Sequence, residues 1–108
     1  GLGEQWDNTA VIIATEFGRT VAENGTGGTD HGTASALFLA GGAVRGGRVY
    51  GQWPGLKKAQ LFEGRDLMPT SDNRQWIAAL LKQHWQLNDA QLNTVFPQIS
   101  PMEINLIR

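Results

Sequence analysis

Val11-Ile12-Ile13-Ala14-Thr15-Glu16-Phe17-Gly18-Arg19-Thr20 is the stretch on which the reading of this chain turns. Its first five residues are continuously apolar or β-branched, and too few for a helix. Such a run suits a strand buried on both faces, in a parallel or mixed sheet covered by helices. Gly18 closes it. Thr15, Glu16 and Arg19 then fall at or just past the strand's C-terminal end, where α/β sheets bind their ligands. Ala36-Leu37-Phe38-Leu39-Ala40 reads as a second buried strand, closed by Gly41-Gly42.

Between the two runs, residues 18–34 show neither period two nor period 3.6. A loop this long inside a compact domain is uncommon, and is usually functional or disordered. Its centre, Asn24-Gly25-Thr26-Gly27-Gly28-Thr29, is open to two roles: a backbone nest for an anion, or a flexible lid. It lacks the lysine and the spacing of a phosphate-binding P-loop. The loop then delivers Asp30-His31.

Beyond Gly42, Val44 to Gly51 reads as a hairpin-like excursion and Trp53-Pro54-Gly55 as a turn. Residues 56–70 read as irregular, with a short edge strand near Leu61-Phe62. The period then changes. Trp76, Leu80 and His84, with Ile77, Leu81 and Trp85, make one apolar stripe on a helix capped by Ser71 or Asp72. Asn88 caps a shorter helix carrying Leu92, Val95 and Phe96, and Pro97 stops it. Ile99, Ile104, Leu106 and Ile107 add a strand or pack on the core.

Composition bounds what such a chain can do. Its 108 residues are one domain, or a piece of one. Nine Lys plus Arg against ten Asp plus Glu, net −1, leave no basic field for nucleic acid. A lone Arg45-Gly46-Gly47-Arg48 does not change that. With no cysteine there is no disulfide framework, thiolate zinc site or cysteine nucleophile. No apolar run approaches the roughly 20 residues that span a bilayer, and no signal peptide opens the chain. All fourteen glycines lie in residues 1–64, and 65–108 has none. The expected architecture is a single α/β domain over 1–108. Its glycine-rich front of strands and loops forms a small mixed sheet, and its back supplies C-terminal helices.

The residues that can carry chemistry gather at the first strand end and the following loop. Glu16, Asp30 and His31 are hard-to-borderline ligands suited to zinc, manganese or a similar divalent ion. Each also has a plainer role. Glu16 can pair with Arg19, Asp30 can close an Asx turn, and His31 can bond backbone. His84 lies on the apolar stripe and reads as a packed histidine. No serine shows a nucleophile-elbow pattern, and nothing near Thr15 activates it.

Thr15-Glu16-Phe17-Gly18-Arg19-Thr20, Gly28-Thr29-Asp30-His31-Gly32, Leu39-Ala40-Gly41-Gly42 and Gly46-Gly47-Arg48-Val49-Tyr50-Gly51 occur here in order. So arranged, with Trp53-Pro54-Gly55-Leu56 and Glu63-Gly64-Arg65-Asp66-Leu67 after them, they resemble the C-terminal end of a bacterial family of unknown function. Its members usually carry a twin-arginine export signal and are often placed in the alkaline phosphatase and sulfatase superfamily. The resemblance spans about residues 6 to 97. It implies a C-terminal fragment of an alkaline phosphatase-like fold, exported to the periplasm, whose main partner is the remainder of a longer chain.

The resemblance also assigns roles. In that superfamily a strand ends in an Asp-His metal pair, and a later histidine precedes the next buried strand. Glu16-Phe17 stands where the pair would be, and His31 stands where the later histidine would be. Glu16 can ligate and Phe17 cannot. The implied divalent ion (zinc, manganese, calcium or magnesium) is held by Glu16 and His31, with Asp30 as a ligand or as a partner orienting His31. The implied activity is hydrolysis of phosphate or sulfate esters by the longer protein, since the nucleophile has no counterpart here. On that activity the residues themselves suggest further roles: the Arg19 guanidinium forks onto the anionic ester substrate, and Gly27 and Gly28, with Gly18, let the backbone approach it closely. The alternative is a non-catalytic exported binding or structural domain. A shared metal site predicts Glu16 and His31 on one edge of the sheet, about 4–5 Å apart given ligand bonds near 2 Å.

Overall fold

The computed structural model describes residues 1–108. It is a small α/β protein with four short strands and two C-terminal helices. The strands are β1 (Val11–Ile13), β2 (Gly18–Arg19), β3 (His31–Gly32) and β4 (Phe38–Ala40), and the helices are α1 (Asn73–His84) and α2 (Asp89–Val95). Short 3₁₀ segments occupy Gly3–Asn8 and Lys58–Gln60. Two compact units are distinguished. The first comprises Gly1–Ile12, Leu39–Val49 and Asp72–Arg108; the second comprises Ile13–Phe38 and Tyr50–Ser71. Each draws on both the glycine-rich and the glycine-free part of the sequence.

The strands pair as two separate two-stranded sheets, β1 with β4 and β2 with β3. Each expected strand forms over three of its five residues, without Ala14, Thr15, Ala36 and Leu37, and neither is buried on both faces. Val11, Ile13 and Phe38 are exposed, Phe38 by 62%, while Ile12 and Leu39 are half-buried. Alternate side chains of a strand point to opposite sides, so a two-stranded ribbon with one open face leaves every second apolar residue in water. The run of 18–34 also departs from expectation, since its two ends are strands. Gly18 pairs with Gly32, and Arg19 with His31, in antiparallel register.

The first unit has the apolar core. Ala43, Val44, Ala78, Ala79, Leu80, Leu92 and Leu106 are its buried hydrophobic residues. Both helices start where the sequence places their caps. Asp72 accepts from the Arg74 N–H at 2.9 Å, and Gln75 Oε1 accepts from the Asp72 N–H at 3.0 Å. Asn88 and Gln91 repeat this reciprocal box, both bonds at 2.9 Å. Each box satisfies two of the donors that a helix start leaves without intrahelical partners. The helices pack on each other. The C-terminal tail is clipped to α1 by one side chain. Gln83 Oε1 accepts from Leu106 N at 2.7 Å and Ile107 N at 3.2 Å, and its Nε2 donates to Ile104 O at 2.6 Å. Val44 and Ile107 form an antiparallel bridge, so the tail does add a strand-like contact.

The second unit is organised around a carboxylate. Asp66 is 3% exposed and is the one buried polar or charged residue. Its Oδ2 accepts from the Thr33 backbone N–H. Its backbone bridges both Thr20 and Phe62, and Val21 N donates to Arg65 O at 2.9 Å. Thr20 follows β2 and Thr33 follows β3, so both strands are held next to Asp66. Two glycines permit the close approach. A Cβ at Gly32 would stand 2.8 Å from Asp66 Cβ, and one at Gly18 would collide with the Ala34 carbonyl oxygen.

Two outcomes are expected. Asp66→Ala removes the acceptor of a part-buried N–H, and should lower unfolding free energy by about 1–3 kcal/mol in denaturant titrations. An unchanged midpoint would refute the anchoring role. The second outcome concerns Asp72. The Arg74 guanidinium, then the Arg74 backbone N–H, hold its carboxyl down at about 2 from an ordinary 3.8. A depressed carboxyl pKa contributes stability that is present above the unfolded value and lost as pH falls through the folded one. Unfolding midpoints should therefore drop between pH 3.8 and about 2, and Asp72→Asn should flatten that drop.

Candidate functional site

The β2–β3 hairpin gathers three of the side chains that matter. Arg19 and His31 are direct cross-strand partners, so both project from one face. Phe17 lies two residues before Arg19. Its ring stacks on the His31 imidazole at 3.8 Å between centroids and 20° between planes. The Arg19 guanidinium carbon stands 5.9 Å from the same ring, within cation–π reach. Arg19, Phe17 and His31 are all exposed. The result is a flat aromatic pair flanked by a cation, open to solvent.

Arg19 is fixed from one side only. Its Nη1 donates to Thr29 O at 2.9 Å, and no ion pair joins it to Glu16. That contact holds the guanidinium over the hairpin and leaves its remaining N–H groups available. His31 makes no side-chain hydrogen bond, and neither does Glu16. The plainer roles read for both, an ion pair and a backbone-bonded histidine, are therefore not taken up.

Asn24 orders the glycine-rich loop. Its Oδ1 accepts from Thr26 N at 3.0 Å, Thr26 Oγ1 at 2.9 Å and Gly28 N at 3.0 Å. Gly27 N donates to Asn24 O at 3.3 Å, and Asn24 N donates to Gly28 O at 2.7 Å. The N–H groups of Gly27 and Gly28 are thus turned inward, away from any anion. Asn24 Nδ2 also donates to Asp30 Oδ1 at 3.1 Å, while Asp30 N donates to Thr20 Oγ1 at 3.1 Å. Asp30 therefore ties the loop to the end of β2, and its carboxylate is directed to Asn24.

The donor set falls short of a closed metal centre. No group of three or more His, Asp or Glu is gathered in the structure. Glu16 and His31 offer two unpartnered donors, where a structural zinc takes four ligands. Phe17, the residue that breaks the Asp-His pattern, is the one that meets His31. In the sequence pattern Phe17 stands only as a residue that cannot ligate. Its spacing of two from Arg19, once residues 18–19 are known to be strand, is the signal that puts both on one face.

No curated protein and no solved structure matches the chain. Residues 1–96 match the family described as "Protein of unknown function (DUF1501)". That stretch holds the whole hairpin, its Asp66 anchor and both helices, and on this match the chain belongs to the DUF1501 family.

Proposed function

We propose that the β2–β3 hairpin is an oxyanion-binding surface, and that the chain is one wall of a hydrolase of phosphate or sulfate esters. The nucleophile and further ligands would come from residues outside 1–108. The supporting observation is the Arg19–His31 register pair. A guanidinium and an imidazole on one face can close on a tetrahedral oxyanion from two sides. Arg forks onto such groups with parallel N–H bonds, and the single contact to Thr29 preorganises Arg19 without saturating it. Phe17 holds the His31 ring flat beside it. Donors placed in advance where charge develops stabilise it without reorganisation. The alkaline phosphatase-like fold of the longer protein, its twin-arginine export and its periplasmic location belong to this same proposal.

A second reading gives His31 a different task. The unpartnered Glu16 and His31 side chains suit a divalent ion completed by ligands from elsewhere. Such an ion would act as a Lewis acid on the ester oxygen.

Titrating the protein with inorganic phosphate and sulfate should shift the Arg19 and His31 resonances saturably without added metal. Arg19→Ala and His31→Ala should each weaken binding by about tenfold, on the order of 1.4 kcal/mol. No saturable response from a folded protein would sink the oxyanion proposal. On the second reading, the full-length protein should instead carry stoichiometric divalent metal, and His31→Ala should lower that content with folding intact. Turnover is read from a panel of phosphate and sulfate esters on the full-length protein. Anion binding with no turnover there would favour a non-catalytic binding domain.

A further inference from the structure

The C-terminal end of α1 carries a second constellation, built entirely within the first unit and independent of the hairpin. An open cleft of about 430 Å³ is lined there by Asp7, Asn8, Gln86 and Arg108, with His84 in its wall. Small-molecule sites span roughly 300–1,000 Å³. His84 also lines an adjoining cavity of about 240 Å³, whose other walls are apolar and include Leu80, Leu81 and Trp85. Trp85 is 67% exposed. One side of this constellation is therefore an aromatic and aliphatic platform, and the other is a cluster of polar and charged side chains.

The backbone here is held in an uncommon state. Trp85 is the C-cap of α1, and its N–H donates to Leu81 O at 3.1 Å. Leu87 N reaches the same carbonyl at 3.5 Å, and Gln86 between them has φ of 56°. This turn back onto the Leu81 carbonyl, six residues earlier, places a left-handed residue just past the cap, the position where glycine is the usual occupant. A glutamine there costs conformational energy that glycine would avoid. What the chain keeps in exchange is an amide side chain in the cleft wall. Non-glycine residues held in such regions cluster at ligand sites.

We propose that this cleft and the apolar pocket that shares His84 with it together bind carbohydrate, with Trp85 of the pocket stacking on the C–H face of one sugar ring and Asp7, Asn8, Gln86 and Arg108 of the cleft taking hydroxyls. The chemistry selects the ligand. Asp7 and Arg108 oppose each other in charge, so the cleft has no single-sign field that would favour an ion. A hydroxyl rim needs donors and acceptors together, and the cleft offers both. An apolar ring face needs a flat, exposed aromatic surface, and Trp85 supplies one. Gln83 plays no part in recognition, because its amide is occupied by the C-terminal tail.

Titrations with glucose, galactose, mannose and N-acetylglucosamine, followed by the indole N–H resonances, test this directly, with glycerol as a polyol control. At least one sugar should shift the Trp85 signal saturably, and glycerol should not. Trp85→Ala should weaken binding by about tenfold or more, with Trp85→Phe retaining part of it and Trp53→Ala changing nothing. Gln86→Gly should raise the unfolding midpoint while weakening binding, a combination that a merely structural Gln86 would not produce. The proposal is overturned by no saturable Trp85 response to any of the sugars, by an equal response to glycerol, or by binding that survives Trp85→Ala. None of these outcomes bears on oxyanion binding at the hairpin.

Discussion

Asp66 is where the second unit is tied together. Its buried carboxylate takes the backbone N–H of Thr33, and its own backbone bridges Thr20. Those two contacts grip the hairpin at the ends of β2 and β3, one residue beyond Arg19 and one beyond Gly32. A two-residue strand pair has too few ladder bonds to persist alone, and isolated hairpins are marginal in water. Remove the anchor and the face that presents Arg19, Phe17 and His31 is held in register only by its short ladder and by the Asp30–Thr20 bonds. The glycines follow from the same constraint. Gly18 and Gly32 lack side chains because the Ala34 carbonyl and the Asp66 side chain occupy the space a Cβ would need.

The two units solve the same problem with different chemistry. The first buries alanines and leucines from α1, α2 and the tail, and adds reciprocal caps at both helix starts. The second buries no large apolar side chain and relies on backbone bonds around one carboxylate and one asparagine. Asn24 does for the loop what Asp66 does for the hairpin, since its amide oxygen collects three donors and its amide nitrogen reaches Asp30. Polar organisation of this kind leaves side chains such as Arg19 and His31 exposed and free to meet a ligand. The apolar unit instead reserves its exposed chemistry for the end of α1, where the stripe runs out at His84 and Trp85.

Local signals made the helices legible. The spacing of Trp76, Leu80 and His84, and the caps at Asp72 and Asn88, are properties of residues three or four apart, so they survive without knowledge of the rest of the fold. The strands were legible only as apolar runs. Val11–Ile13 and Phe38–Ala40 are strands, but the continuous hydrophobicity that suggested burial on both faces coexists with exposed Ile13 and Phe38. The candidate site was legible as a set of residue types around 16–31. Its arrangement was not, because the strand pair inside 18–34 is too short to show a period.

The sequence by itself determined the residue types available: a carboxylate, a histidine and an arginine near one strand end, no cysteine, glycines at the points of closest approach, and helices at the back. Only the tertiary structure decided which of them meet. Contacts between residues more than ten apart, such as Arg19 with His31 or Thr33 with Asp66, depend on a register set by long-range backbone pairing. No local pattern encodes that register, and a slip of one residue would turn every side chain to the other face. That is why Phe17, in sequence only a residue that cannot ligate, is the neighbour of His31, and why Gly27 and Gly28, attractive as an anion nest, are bound to Asn24.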